Sequence, residues 1–124
     1  MAKIIVVDDD TQFYLLLADF LRALGHQVTL ATDPSHLYTV VRGFKPDLVI
    51  LDIQMPEGGG PMAQRVIEEQ LGKSVPTLIC SGMPVYHQKQ WYPELPTRRY
   101  VAKPVELGEL GRLVAELLPQ SISA

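Results

Sequence analysis

Reactive side chains of three kinds stand at the ends of short apolar runs in this 124-residue sequence. Asp8-Asp9-Asp10 closes Ile4-Ile5-Val6-Val7, and Asp52 closes Leu48-Val49-Ile50-Leu51. Ser81 closes Thr77-Leu78-Ile79-Cys80, and Lys103-Pro104 follows Tyr100-Val101-Ala102. Each alone has an ordinary reading: an acidic triplet as a solvated turn or helix cap, an aspartate as a strand end, a lysine as a surface charge. Together they put carboxylates, a hydroxyl and an ammonium at successive strand ends. Two carboxylates about 4 Å apart repel by about 4 kcal/mol at an effective dielectric near 20. A hard divalent cation removes that repulsion, and sparse carboxylates with room for water suit Mg²⁺ better than Zn²⁺. A carboxylate beside such an ion is a competent nucleophile toward a phosphoryl group. Phosphoryl transfer asks mainly for positioning and for neutralisation of the equatorial oxygens. The ion, Lys103 and the Ser81 hydroxyl could each take one.

The elements that must position these groups follow from the apolar periods. Ile4–Val7, Gln27–Ala31, Leu48–Leu51, Thr77–Cys80 and Tyr100–Ala102 read as five strands. Phe13, Leu16, Leu17, Phe20, Leu21 and Leu24 recur at helical spacing, with Asp10 or Thr11 to cap the helix and Gly25 to stop it. The Asp33-Pro34-Ser35 turn leads into a helix from about His36 to Arg42. Pro61 begins a third helix, with Met62, Val66, Ile67 and Leu71 on one side. The last helix carries Val105, Leu110, Leu113, Val114 and Leu117, although Gly108 and Gly111 should each cost it about 1 kcal/mol relative to alanine. Strands too apolar for a wet face, alternating with helices, imply a parallel sheet covered on both sides. In such a sheet, function collects at the carboxyl ends of the strands.

Composition excludes several classes. With 47% hydrophobic and 20% charged residues the chain is globular, and at this length it folds as one domain without metal or disulfide staples. One cysteine, Cys80, leaves no disulfide framework or Cys-rich zinc site. A net charge of −3 argues against direct nucleic-acid binding. No apolar run reaches the roughly 18 residues of a membrane span, and no signal-peptide pattern opens the chain, so a cytoplasmic location is expected. His26, His36 and His87 share no ligand spacing and read as surface histidines.

The motifs Ile5-Val6-Val7-Asp8-Asp9-Asp10, Leu51-Asp52-Ile53-Gln54-Met55-Pro56, Ser81-Gly82 and Tyr100-Val101-Ala102-Lys103-Pro104 stand in order along essentially the whole chain. In them the sequence resembles the response-regulator receiver domains of bacterial two-component signalling, the chemotaxis-regulator type among them. The resemblance implies a flavodoxin-like fold, with a five-stranded parallel sheet in the order 2-1-3-4-5, five helices, and a fourth helix that is short or irregular here. It implies that Asp52 is the phospho-acceptor and that Asp8, Asp9, Asp52 and the Gln54 backbone carbonyl hold Mg²⁺. It further implies that Ser81 and Lys103 contact the phosphoryl group and that Ser81 and Tyr100 are the switch residues. A cis Lys103-Pro104 peptide follows from the same resemblance. The implied partners are a sensor histidine kinase or histidine phosphotransfer protein, then a downstream protein or output domain, with a homodimer possible. Such a domain catalyses only its own phosphorylation and dephosphorylation. Residues 1–119 read as this domain and 120–124 as a tail or the start of a linker.

The chain departs from the pattern in three places. Glu57-Gly58-Gly59-Gly60 replaces the usual Asp-Gly after the Met-Pro loop, giving the start of the third helix more backbone freedom. Arg98-Arg99 precedes Tyr100, where a small or acidic residue is usual. Met83 to Arg99 carries Pro84, Pro93 and Pro96, which should confine any helix to about Val85–Tyr92. Tyr86, Trp91 and Tyr92 either pack down to replace a missing turn or stay exposed as a partner or dimer surface. Two rival functions compete with the receiver reading. A haloacid-dehalogenase-like phosphatase would use Asp8 and Asp10, but Gln12 stands where that family has Thr or Val, and Asp52 is left without a role. A pseudo-receiver that is never phosphorylated fits poorly with a full set of Asp8, Asp9, Asp52, Ser81 and Lys103. Gly72-Lys73-Ser74 lacks the upstream glycine of a phosphate-binding loop.

Overall fold

The computed structural model describes residues 1–55, 59–72 and 75–119. Strand and helix alternate five times: β1 (Lys3–Val7), α1 (Thr11–Ala23), β2 (Gln27–Ala31), α2 (Pro34–Phe44), β3 (Leu48–Leu51), α3 (Gly59–Leu71), β4 (Thr77–Ser81), α4 (Val85–Trp91), β5 (Arg98–Ala102) and α5 (Leu107–Leu117). The strands form one parallel sheet in the order β2-β1-β3-β4-β5. The chain therefore reverses its winding at β1, and β1 and β3 pair directly, Val7 opposite Leu51. That pairing sets the residues after the two strands, Asp8 and Asp52, side by side on one rim. Val7 O accepts from Asp52 N–H at 2.9 Å, and Ala31 O from Asp8 N–H at 3.0 Å.

Because side chains alternate along a strand, each strand feeds both layers. Ile4, Val6, Ile50, Leu78 and Cys80 point to the layer closed by α1 and α5. Ile5, Val7, Val49, Leu51 and Ile79 point to the layer closed by α2 and α3, which Tyr92 joins. A fully buried Leu or Ile contributes about 1.5–3 kcal/mol, so truncating Ile5 or Leu78 to alanine would cost about 2–5 kcal/mol and loosen the rim.

Local chemistry sets the helix starts. Asp10 caps α1 by accepting from Phe13 N–H at 3.0 Å, and Asp33 caps α2 by accepting from His36 N–H at 2.8 Å. Pro34 occupies the first turn of α2, where a missing N–H costs nothing, so this helix starts before His36 and runs on to Phe44. The third helix starts at Gly59, before Pro61, and Gly60 shows why a glycine is needed. A Cβ there would lie 2.7 Å from Ile53 Cβ and 2.3 Å from the Tyr92 hydroxyl oxygen. Glu57 and Gly58, in which extra freedom is expected, lie outside the described residues, as does the 120–124 tail.

Several expectations about facing are corrected. The sheet-facing stripe of α1 runs through Leu17, Ala18 and Leu21, with the small Ala18 inside. Leu16 and Leu24 are exposed, the first on the far side of the helix and the second at its C-cap. Met62 is exposed because α3 turns Ala63, Val66 and Ile67 inward. Val105 precedes α5 instead of belonging to it. Strand β5 begins at Arg98, not Tyr100, with Arg98 buried. His26 is half-buried, its Nδ1 accepting from Ala2 N–H at 3.1 Å. Helix α4 ends at Trp91, between Pro84 and Pro93 as the prolines require.

Candidate acidic phosphoryl-transfer site

The rim is built from the ends of β1, β3, β4 and β5. Asp8 and Asp52 are buried and Asp9 is exposed, yet all three offer carboxylate oxygens within 4.8 Å of one another. Asp8 is held by Asp10 N–H, which donates to its Oδ1 at 2.9 Å, and Asp52 by Gln54 N–H at 2.9 Å. Each aspartate thus uses one oxygen to order its own turn and leaves the other toward the site. Lys103 fills the gap from β5: its Nζ lies 2.8 Å from Asp8 Oδ2 and 3.4 Å from Asp52 Oδ2. The ammonium also sits 4.5 Å from the centre of the Phe13 ring, which limits where it can swing. The Lys103-Pro104 peptide is cis, in keeping with the expectation.

The electrostatics follow from crowding and burial. Burial pushes the Asp52 carboxyl above the ordinary carboxylate range; Gln54 N–H pulls it back, Asp8 pushes it further up, and Lys103 pulls it down. Burial works against the charge on Lys103, but the Asp8 hydrogen bond and the Asp52 and Asp8 charges outweigh it and raise its pKa. The lysine stays charged and offsets one of the three carboxylates. The remaining negative charge makes this a fit for an oxygen-seeking divalent cation.

Ser81 ends β4, fully buried, and its hydroxyl donates to Gln54 Oε1 at 3.0 Å. The hydroxyl is thereby turned toward the loop after Asp52. Tyr100, half-buried on β5, donates its hydroxyl to the Tyr92 carbonyl at 2.5 Å. Two participants carry no sequence signal strong enough to find them. The Gln54 side chain, polar and exposed in a loop, turns out to hold Ser81. Gln88, in the middle of short α4, is fully buried and donates through Nε2 to Met83 O at 2.8 Å and Val101 O at 3.1 Å, tying α4 to the segment that follows β4 and to β5.

A sheet in this order, with acids at the β1 and β3 ends and a lysine after β5, defines a doubly wound α/β protein whose site lies at the strand carboxyl ends. The model of the response regulator receiver domain matches residues 4–115, and the chain belongs to that family of two-component signalling domains. It is 35% identical over 108 residues to protein PilH of Pseudomonas aeruginosa, covering 86% of this chain and 88% of PilH. It is 36% identical over 80 residues to the DNA-binding response regulator MtrA of Mycolicibacterium smegmatis, but spans only 34% of that protein. Among solved structures, chemotaxis protein CheY4 of Vibrio cholerae superposes with a TM-score of 0.85 at 23% identity, covering 95% of this chain and 99% of CheY4. The receiver domain of sensor histidine kinase PA1611 from Pseudomonas aeruginosa, solved with a magnesium ion in its active-site cleft, gives a TM-score of 0.80 at 24% identity, covering 94% and 96%. The phosphatase and pseudo-receiver readings gain no support from these relatives.

Proposed function

We propose that Asp52 takes a phosphoryl group from the phosphohistidine of a sensor histidine kinase or histidine phosphotransfer protein. An Asp52 carboxylate oxygen attacks phosphorus, the phosphorus–nitrogen bond breaks, and the imidazole leaves with a proton from solvent. Asp8, Asp9, Asp52 and the Gln54 carbonyl would hold Mg²⁺, which supplies charge neutralisation to the transferring oxygens. Lys103 is placed to exchange its Asp8 and Asp52 contacts for a phosphoryl oxygen. Ser81 would leave Gln54 for another, and Tyr100 would respond to the space it vacates. The single observation that supports this reading most is the Lys103 ammonium bridging two buried carboxylates with a third in reach.

The place of action we propose is the cytoplasm; no helix among the described residues is long and apolar enough to cross a membrane. The output is contact with a downstream protein or a second copy through α4. Tyr86 is 64% exposed and Trp91 70%, whereas Tyr92 is 8% exposed, so only the last of the three aromatics packs down. Incubation with acetyl phosphate and Mg²⁺ tests the chemistry: intact mass should show one added phosphoryl group, absent in Asp52→Asn. Labelling that survives in Asp52→Asn and is lost in Asp8→Asn would instead favour the phosphatase reading.

A further inference from the structure

Arg98 is the buried charge that the proposed chemistry leaves unused. It is 7% exposed and forms no ion pair among the described residues. A buried cation without a carboxylate is costly unless its donors are well used. One donor goes to the segment joining α4 and β5: Nη1 donates to Pro93 O at 2.8 Å. The guanidinium carbon also lies 5.8 Å from the centre of the Tyr92 ring, within cation–π range. Its backbone N–H donates to Leu95 O at 3.1 Å. Nε has no partner in the structure, which leaves the group one hydrogen bond short.

The neighbour that gives this arrangement meaning is Tyr100. Two residues along β5, it shares a face with Arg98. Its hydroxyl donates to Tyr92 O at 2.5 Å, so the consecutive carbonyls of Tyr92 and Pro93 are gripped by Tyr100 and Arg98 respectively. The Arg98 charge also acts on the Tyr100 hydroxyl itself, pulling down a pKa that burial raises. Tyr92 has its ring fixed on the other side, the hydroxyl sitting over Gly60 at the start of α3. One arginine thus fixes the carbonyl beside the one on which Tyr100 rests, and stacks on the residue that owns that acceptor.

We infer that Arg98 is the positioning residue of Tyr100: it holds the Tyr92–Pro93 carbonyl pair in place and so keeps Tyr100 in the conformer seen here until Asp52 is modified. This rests on Tyr100 having a second position in the phosphorylated state, as proposed above. Arginine suits the task because it stays charged at any working pH and its planar fork can donate and stack together.

The test uses NMR of ¹³C-labelled Tyr rings, free and with Mg²⁺ and beryllofluoride, in wild type, Arg98→Met and Arg98→Lys. Methionine keeps the apolar stem and removes the guanidinium. The population of the alternative Tyr100 position in the unmodified protein should rise roughly tenfold in Arg98→Met, the worth of one hydrogen bond from a charged donor. Arg98→Lys, whose ammonium can still reach toward Pro93 O, should recover part of the wild-type population. Should Arg98→Met fail to fold, an intermediate value in Arg98→Lys carries the test. In a Tyr100→Phe background, read with labelled Phe rings, the effect of Arg98→Met should vanish, because the hydroxyl that rests on Tyr92 O is gone. An unchanged Tyr100 population in folded Arg98→Met, or an equal effect with and without the Tyr100 hydroxyl, overturns the assignment. Phosphoryl uptake by Asp52 from acetyl phosphate and Mg²⁺ is measured by mass on the same proteins without beryllofluoride. Its loss in wild type would refute the proposed function, whereas normal uptake with an insensitive Tyr100 refutes only the role of Arg98.

Discussion

Removing the ammonium from the rim should destabilise the protein in a way that a divalent ion and acid both repair. In Lys103→Met, Asp8 and Asp52 lose a cation at 2.8 and 3.4 Å while their side chains stay 2% and 7% exposed. Deleting one partner of a buried pair typically costs about 3–5 kcal/mol, because the other charge is left uncompensated. The lysine side chain is itself 23% exposed, so water can enter the gap, and about 2–3 kcal/mol is the better expectation. For a domain of this size that is a fall in Tm of roughly 10 °C. Millimolar Mg²⁺ should recover more Tm in the variant than it adds to wild type, since it supplies the missing positive charge. The pH dependence has a definite sign. Asp52 has a raised folded pKa, so it binds its proton more tightly folded than unfolded, and its penalty grows as pH rises through the folded pKa. Lys103 holds that pKa down, so without it the deficit should be full above the folded pKa and shrink as pH falls through it. Thermal melts of both proteins at pH 5 and 7, with and without Mg²⁺, make the measurement. An Mg²⁺-free variant as stable as wild type at pH 7, or a deficit indifferent to both Mg²⁺ and pH, would refute the electrostatic account of the rim.

Three further outcomes follow from burial. The Cys80 thiol, pushed up to about 12 by burial, should ignore a disulfide reagent at pH 8 in the native state and react once guanidinium unfolds the chain; rapid native reaction would contradict the packing of β4. His26 is held below its usual pKa by burial and by the N-terminal ammonium, so its stabilising effect is complete above about 6.5 and fades as pH falls through the lower folded value. His26→Asn should therefore lose less Tm than wild type between pH 7 and 5, and equal losses would count against the Ala2 contact. Trp91→Ala should change stability by about 0.5 kcal/mol or less, and acrylamide should quench Trp91 readily, whereas Tyr92→Ala should cost roughly 3 kcal/mol or more; reversed costs would mean that the aromatic segment packs the other way.

Most of the rim was legible because strand ends are easy to read. Runs such as Leu48–Leu51 are too apolar for anything but a buried strand, so Asp52 had to emerge at its end, and the same holds for Asp8 and Ser81. The sheet order came through the family resemblance and is the observed one. What stayed hidden was decided by tertiary contact. Arg98 reads as loop because its charge argues against burial; pairing with Thr77 of β4 makes it a strand residue, and the Pro93 carbonyl and Tyr92 ring accommodate its buried guanidinium. The phase of α1 is hard to read because Leu16 is as apolar as Leu17, and small Ala18, which approaches the sheet, carries a weaker signal. Gln54 matters through one side-chain hydrogen bond and Gln88 through two, and neither composition nor periodicity marks a glutamine for that. Sequence leaves Trp91 either packed or exposed, and the backbone geometry of α4 decides for exposure.

Chemical localisation of the phosphoryl group tests the role of Asp52 most directly. After reaction with acetyl phosphate and Mg²⁺, borohydride reduces an aspartyl phosphate to homoserine, which peptide mass mapping places on one residue. Homoserine is expected at position 52 and nowhere else, with none formed when Mg²⁺ is removed. Reduction at Asp8 or Asp9, or a phosphoryl group on a hydroxyl or imidazole that resists borohydride, would contradict it.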